Sequence, residues 1–166
     1  MLIRSPGALL KDIAFMELAI QEAIQAAGQG ELPIGAVVAK EGVILARNRN
    51  RSIGDRDPTA HAEILALREA ASKLGNYRMP GCELYVTVEP CPMCVGAIVH
   101  SRVQRLIFGT RSDRTGAVYS VFPLLNAPQF NHRVEVTEGV LASRCRELLV
   151  RFFQECRAGG EVPKWS

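Results

Sequence analysis

Two short segments, His61-Ala62-Glu63 and Pro90-Cys91-Pro92-Met93-Cys94, constrain this chain more than any other feature of its sequence. They lie about thirty residues apart and carry one imidazole, two thiols and one carboxylate. Three of these groups are zinc-type ligands and the fourth is a free acid. A structural zinc is usually closed by four Cys or His ligands, whereas a catalytic one has three and keeps a position open for water. The pattern therefore asks for a fold that brings two chain turns to one metal-activated water with a proton acceptor beside it.

The flanking residues say how. Asp57-Pro58-Thr59 turns the chain before His61, and Ile64, Leu67, Ala71 and Leu74 then recur with helical spacing, which predicts His61 and Glu63 in the first turn of a helix. Leu84 to Val88 reads as a buried strand, Pro90 ends it, and Pro92 suits the first position of a helix running to about His100. Both ligand groups then sit at helix N-termini, where unpaired N–H groups and the helix dipole favour thiolates. Cys91 and Cys94 are three apart, so both can face one metal from a single turn. Two thiolates and a neutral imidazole cancel the zinc charge, and bound water ionises nearer neutral pH than in bulk.

Taken alone, C-x-x-C also serves as a redox pair and a histidine near a helix start as a capping residue. Their joint occurrence with Glu63 is far more specific. His100, six residues after Cys94, falls roughly 120° off its helix face and makes a poor fourth ligand. Cys82 is isolated, and Cys145 and Cys156 fall in the Leu148, Leu149, Phe152, Phe153 stripe as expected core thiols.

The other elements alternate. Ile13, Met16, Ile20, Ile24 and Ala27 predict an N-terminal helix ending near Gly28, and residues 34–39 and 43–47 a hairpin turning at Lys40-Glu41-Gly42. Further strands are expected at 105–109 and 134–137, separated by a loop to about Arg133, and a last helix from about Ser143. Such interleaving predicts a sheet sandwiched by helices. The 166 residues read as one domain with a core over about 12–157 and a frayed tail beyond Arg157. No segment approaches a membrane span, Asp12 and Glu17 interrupt any signal-like apolar run, and five cysteines suit a reducing compartment, so cytoplasmic residence is expected. A net charge of +3 leaves any nucleic-acid contact to a local patch.

Longer runs carry a resemblance. Asp57-Pro58-Thr59-Ala60-His61-Ala62-Glu63-Ile64, Tyr85-Val86-Thr87-Val88-Glu89-Pro90-Cys91-Pro92-Met93-Cys94, His100-Ser101-Arg102, Phe108-Gly109 and Asn131-His132-Arg133-Val134-Glu135 resemble the bacterial tRNA-specific adenosine deaminases, over roughly Asp12 to Arg157. These form a branch of the cytidine-deaminase-like zinc deaminases, whose general signature is H-x-E with P-C-x-x-C. The resemblance implies an α/β fold, a three-layer α/β/α sandwich with a five-stranded mixed sheet, a homodimer, and conversion of adenosine to inosine at the wobble position of a tRNA anticodon. It implies one Zn2+ per subunit on His61, Cys91 and Cys94, delivering hydroxide to C6 of adenine, with Glu63 as an uncoordinated proton shuttle. It further implies that Asn50 hydrogen-bonds the flipped nucleotide, that the Ala62 backbone reads the base edge, and that Leu32, Pro33 and Ile34 wall the pocket. Arg111, Ser112, Arg114, Asn131, His132, Phe153 and Arg157 are the expected contacts to the anticodon loop.

Two places depart from the family pattern. Phe108-Gly109-Thr110-Arg111-Ser112-Asp113 puts a serine where an acid is expected, so RNA and DNA would be told apart differently here unless the loop moves Asp113 into place. The C-terminal Gln154-Glu155-Cys156-Arg157 is nearly neutral where family members are often basic. Two other readings compete: a small-molecule deaminase acting on free cytidine or guanine, and a non-catalytic zinc-stabilised interaction domain, which the open position and Glu63 argue against.

Overall fold

The computed structural model describes residues 6–159. Its elements run α1 (Pro6–Gly28), β1 (Gly35–Lys40), β2 (Val43–Arg49), α2 (Ala62–Leu74), β3 (Cys82–Val88), α3 (Pro92–Ser101), β4 (Arg105–Thr110), β5 (Glu135–Glu138) and α4 (Ala142–Ala158). The strands form one five-stranded sheet in the order β2-β1-β3-β4-β5. β1 pairs antiparallel with β2 and with β3, whereas β3–β4 and β4–β5 are parallel, so the sheet is mixed. The β1–β2 hairpin turns through Glu41 and Gly42, both at positive φ (50° and 81°), as a two-residue primed turn requires.

Alternation along the strands builds two cores, because successive side chains leave opposite faces of a sheet. Ala36, Val38, Leu84, Val86, Leu106 and Phe108 face α2 and α3 through Ala66, Leu67, Ala70, Val95 and Ile98. Val37, Ala39, Tyr85 and Ile107 face α1 and α4 through Phe15, Met16, Ala19, Ile20 and Cys145. Burial on both faces explains why Leu84, Tyr85 and Val86 of β3 follow one another without polar alternation. The result is the expected three-layer α/β/α sandwich. At Gly35 a Cβ would collide with the Ala19 carbonyl, so α1 lies directly on the start of β1.

The acids that interrupt the α1 pattern are cross-braces. Asp12, fully buried, takes the Arg105 guanidinium of β4 and accepts the Tyr85 hydroxyl at 3.0 Å. Arg105 also reaches Glu83 at 3.0 Å, and Lys11 reaches the same carboxylate at 2.8 Å. Glu17 pairs with Arg144 of α4. Two expectations need correcting. Ile24, placed on the apolar stripe of α1, is 51% exposed, because it borders a shallow groove against Leu148 and Arg151 of α4 and not the sheet. Cys156 is only partly buried, while Cys145 is in the core as expected. The expected frayed tail falls mostly on residues 160–166, outside those described.

Candidate active site

The sandwich carries the two ligand segments to one end of the sheet. His61 is the N-cap of α2, with extended backbone (φ −75°, ψ 150°), and Cys91 is the N-cap of α3 (φ −78°, ψ 171°), with Pro92 opening that helix. Neither cap side chain is spent on its own helix. His61 Nδ1 lies 3.6 Å from Cys91 Sγ and 3.5 Å from Cys94 Sγ. For Zn–S and Zn–N bonds of ordinary length at a tetrahedral angle, the nitrogen and sulfur should stand about 3.6 Å apart. The three groups therefore fit a zinc ion, and they are the one such cluster among the described residues. Hydrogen bonding from Cys94 and His61 holds the Cys91 thiol down to about 4, so a thiolate is ready for the metal.

Glu63 sits in the first turn of α2, beside the triad and 3% exposed. Its Oε2 is buried without a hydrogen-bond partner. Such an atom is costly to leave unpaired, which is what a group reserved for a reacting molecule looks like. Burial pushes its carboxyl up to about 7.

Two more buried carboxylates flank this centre. Glu31, 2% exposed, accepts the N–H groups of Ile53 (2.9 Å) and Gly54 (2.7 Å) on one oxygen and lies 3.5 Å from Asn50 Nδ2 on the other. Glu89, 3% exposed, lies between β3 and the Cys91 turn and gathers the loop after β4. Sequence reasoning assigned neither a role. Glu31 stands one residue before the Leu32-Pro33-Ile34 run and Glu89 directly before Pro90, so a carboxylate abutting each motif was the available signal.

Residues 10–157 match the family of MafB19-like deaminases. The tRNA-specific adenosine deaminase of Haemophilus influenzae is 46% identical over 92% of this chain and 89% of its own length. That of Bacillus subtilis is 44% identical over 90% and 92%. The chain belongs to the tRNA-specific adenosine deaminase family. Among solved structures, one from studies of A-to-I editing by tRNA:A34 deaminases aligns with TM-score 0.80 at 43% identity, covering 82% of this chain and 99% of that one. A guanine deaminase from Nitrosomonas europaea aligns with TM-score 0.74 at 27% identity, over 92% and 95%.

In this family member the expected substrate residues divide into two groups. Asn50, 3% exposed, donates its N–H to the Ile34 carbonyl (3.0 Å), and Arg51 donates to Ala60 (3.0 Å), next to His61. Leu32, Pro33, Ile34, Asn50 and the ligand turn thus form one bonded unit. Ala62, buried, opens α2, where the first N–H groups lack intrahelical partners. On the loop after β4, the Ser112 N–H is bound to Glu89 (3.0 Å) and its hydroxyl lies 3.2 Å from Thr115 Oγ1, so the serine closes a turn. Asp113 and Arg114 are exposed on that turn. Arg111 makes a two-pronged pair with Glu138 (2.8 Å each) and lies over the Tyr119 ring at 5.3 Å.

Asn131, His132, Phe153 and Arg157 lie further along the chain, beyond the Ser112 turn. His132 Nε2 lies 2.8 Å from the Val103 carbonyl, before the start of β4. The ligand turn is at the far end of the parallel β3–β4 pair, roughly 20 Å away at the usual rise per strand residue. Asn131 is exposed beside it. On α4, Phe153 packs edge-on against Phe152, and Arg157 Nε bonds the Phe153 carbonyl at 3.2 Å.

Proposed function

We propose that this protein hydrolytically deaminates adenosine to inosine at the wobble position of a tRNA anticodon. The observation that carries the reading is the buried, unpartnered Glu63 oxygen beside a three-ligand cluster of zinc spacing. The named activity of relatives 44–46% identical over nine-tenths of the chain selects adenosine in tRNA as the substrate.

His61, Cys91 and Cys94 would hold the zinc, whose contribution is to lower the pKa of water for attack on C6. Glu63 takes up a proton in that step, returns it to N1 and assists departure of ammonia from C6. Its burial excludes bulk water from the proton it carries. Asn50, fixed by Ile34 and Glu31, offers its amide to the nucleotide, with Leu32, Pro33 and Ile34 as the apolar wall. Ala62 supplies a backbone group to the base edge. Arg111, Ser112, Arg114, Asn131, His132, Phe153 and Arg157 are the proposed contacts along the anticodon loop.

The reading includes a homodimer in the cytoplasm. Support for the dimer is the exposure of Met93, Tyr119, Val121, Phe122 and Leu124 around the start of α3 and the loop bonded to it. No helix among the described residues is long and apolar enough to cross a membrane. The test is ammonia release and inosine formation from an anticodon stem-loop set against free adenosine, cytidine and guanine. Turnover of the free compounds without turnover of the RNA would transfer the reading to the small-molecule deaminases, the class of the guanine deaminase neighbour.

A further inference from the structure

Residues 111–120 form an irregular loop, and four of its backbone N–H groups are gathered by one side chain. Glu89 Oε1 accepts the N–H groups of Val118 (3.0 Å), Tyr119 (2.7 Å) and Ser120 (3.0 Å). Its Oε2 accepts the Ser112 N–H (3.0 Å) and the Ser120 hydroxyl. The loop closes around the carboxylate without slack, since a Cβ on Gly116 would run into the Glu89 carboxyl group and the Ser112 carbonyl. The Glu89 main chain is fixed as well: its N–H donates to Thr110 at 2.8 Å, and the next carbonyl, that of Pro90, accepts from Ala117 at 2.8 Å. Cys91 follows at once.

A loop of this length has N–H groups to satisfy and could do so with water or its own carbonyls. Here five donors converge on one buried anion two residues from a zinc-type ligand. Charge-assisted bonds of this kind are short and directional, so they transmit position as well as stability. Through them Ser112 and Tyr119, and Arg111 stacked on Tyr119, are registered to the turn that carries Cys91.

We propose that Glu89 is a positioning residue for substrate, setting the distance between the loop that meets the nucleotide and the centre that reacts with it. The proposal rests on the RNA-deaminase reading above. Without the clamp the loop keeps its tether at Ala117 but loses its registry, so RNA must order it on binding and its affinity falls while the bound complex still reacts. Glu89→Gln keeps the shape while turning an NH2 toward N–H donors. Glu89→Asp keeps the charge but falls one methylene short.

The experiment uses zinc-loaded protein, an anticodon stem-loop RNA, zinc analysis and amide hydrogen exchange. In Glu89→Gln the amides of Ser112, Val118, Tyr119 and Ser120 are expected to exchange faster while those of β3 and β4 keep their protection. Zinc per chain stays unchanged, and KM rises roughly tenfold, the scale of one charge-assisted hydrogen bond, with kcat nearly preserved. Ser120→Ala, which removes a single hydroxyl donor, shifts the same quantities in the same direction by less and serves if Glu89→Gln does not fold. Protected loop amides in Glu89→Gln, or loss of zinc and kcat at constant KM, overturns the proposal. Inactivity of the unsubstituted protein on that RNA overturns the activity reading instead. The positioning role is then decided by exchange of the four amides, and their continued protection in Glu89→Gln refutes it.

Discussion

Replacing Glu63 with alanine separates chemistry from metal binding and from stability. General acid–base catalysis contributes about 10²–10⁴ in rate, or roughly 3–5 kcal/mol of barrier, and the His61, Cys91, Cys94 cluster itself holds no carboxylate that could take over. The effect on folding is small by comparison. Truncation removes roughly one buried methylene, about 0.8 kcal/mol, plus a modest cavity cost. It also removes a buried oxygen without a partner, whose burial costs about 1–3 kcal/mol. The two nearly cancel, so Tm should stay within a few degrees of the parent at about 2–4 °C per kcal/mol for a chain of this size. Zinc should remain near one per chain, because the 3.5 and 3.6 Å spacings that fit the ion involve His61, Cys91 and Cys94 alone. Ammonia release, atomic absorption and calorimetry on the same preparation read all three quantities. Zinc lost in proportion to turnover would make Glu63 a ligand and the centre a closed one, refuting the proton-shuttle assignment.

Glu31→Ala strips the acceptor from the Ile53 and Gly54 N–H groups, and at about 1.5–3 kcal/mol per bond to a charged group it should destabilise the fold by a few kcal/mol. It should also raise KM, though less than Asn50→Ala does, and stability unchanged in urea melts would show that the bonds do not form. The Lys11 and Arg105 hydrogen bonds outweigh burial at Glu83 and hold its carboxyl below the ordinary 4.5. A folded-state pKa below the unfolded one adds stability at higher pH that disappears as pH falls through the folded value. Glu83→Gln should therefore flatten the stability profile below about pH 4.5, and an unchanged acid limb in pH-dependent melts counts against the brace. Gly109→Ala drives a Cβ into Cys145 Sγ and the Thr87 carbonyl, an overpacking worth about 1–3 kcal/mol. Adding Cys145→Ala should recover part of that loss, and full additivity of the two changes would show that they do not touch.

Much of the architecture was legible because it depends on local rules. Pro90 and Pro92 mark the end of β3 and the start of α3, and the spacing of Ile64, Leu67, Ala71 and Leu74 marks α2. Strand and helix limits fall within two residues of those expected, including β2, which continues to Arg49 where Arg47 and Arg49 reach Glu22, except that α1 begins at Pro6, seven residues ahead of the Ile13 that opens its apolar stripe. The convergence of His61, Cys91 and Cys94 was legible for the same reason: His61 and Cys91 are helix N-caps and Cys94 lies in the first turn of α3, positions set by their neighbours in sequence. Glu31 and Glu89 were not, since their partners are backbone N–H groups 22 to 31 residues away, which no side-chain pattern records. Asp12 was read as a polar interruption for want of Arg105, ninety-three residues on. The exposure of Ile24 depends on where α4 lies, which the periodicity of α1 does not encode.

The two-pronged pairing of Arg111 with Glu138 changes the accounting of any phosphate that Arg111 meets. The guanidinium is already neutralised by a carboxylate of matching geometry, so an RNA strand would substitute one anion for another and gain only the difference. A cation engaged in this way adds less to affinity than a free one, and its exchange liberates a protein acid into solvent as well as ions from the nucleic acid. The dependence of RNA association on ionic strength should accordingly be shallower than a tally of basic side chains around the pocket suggests.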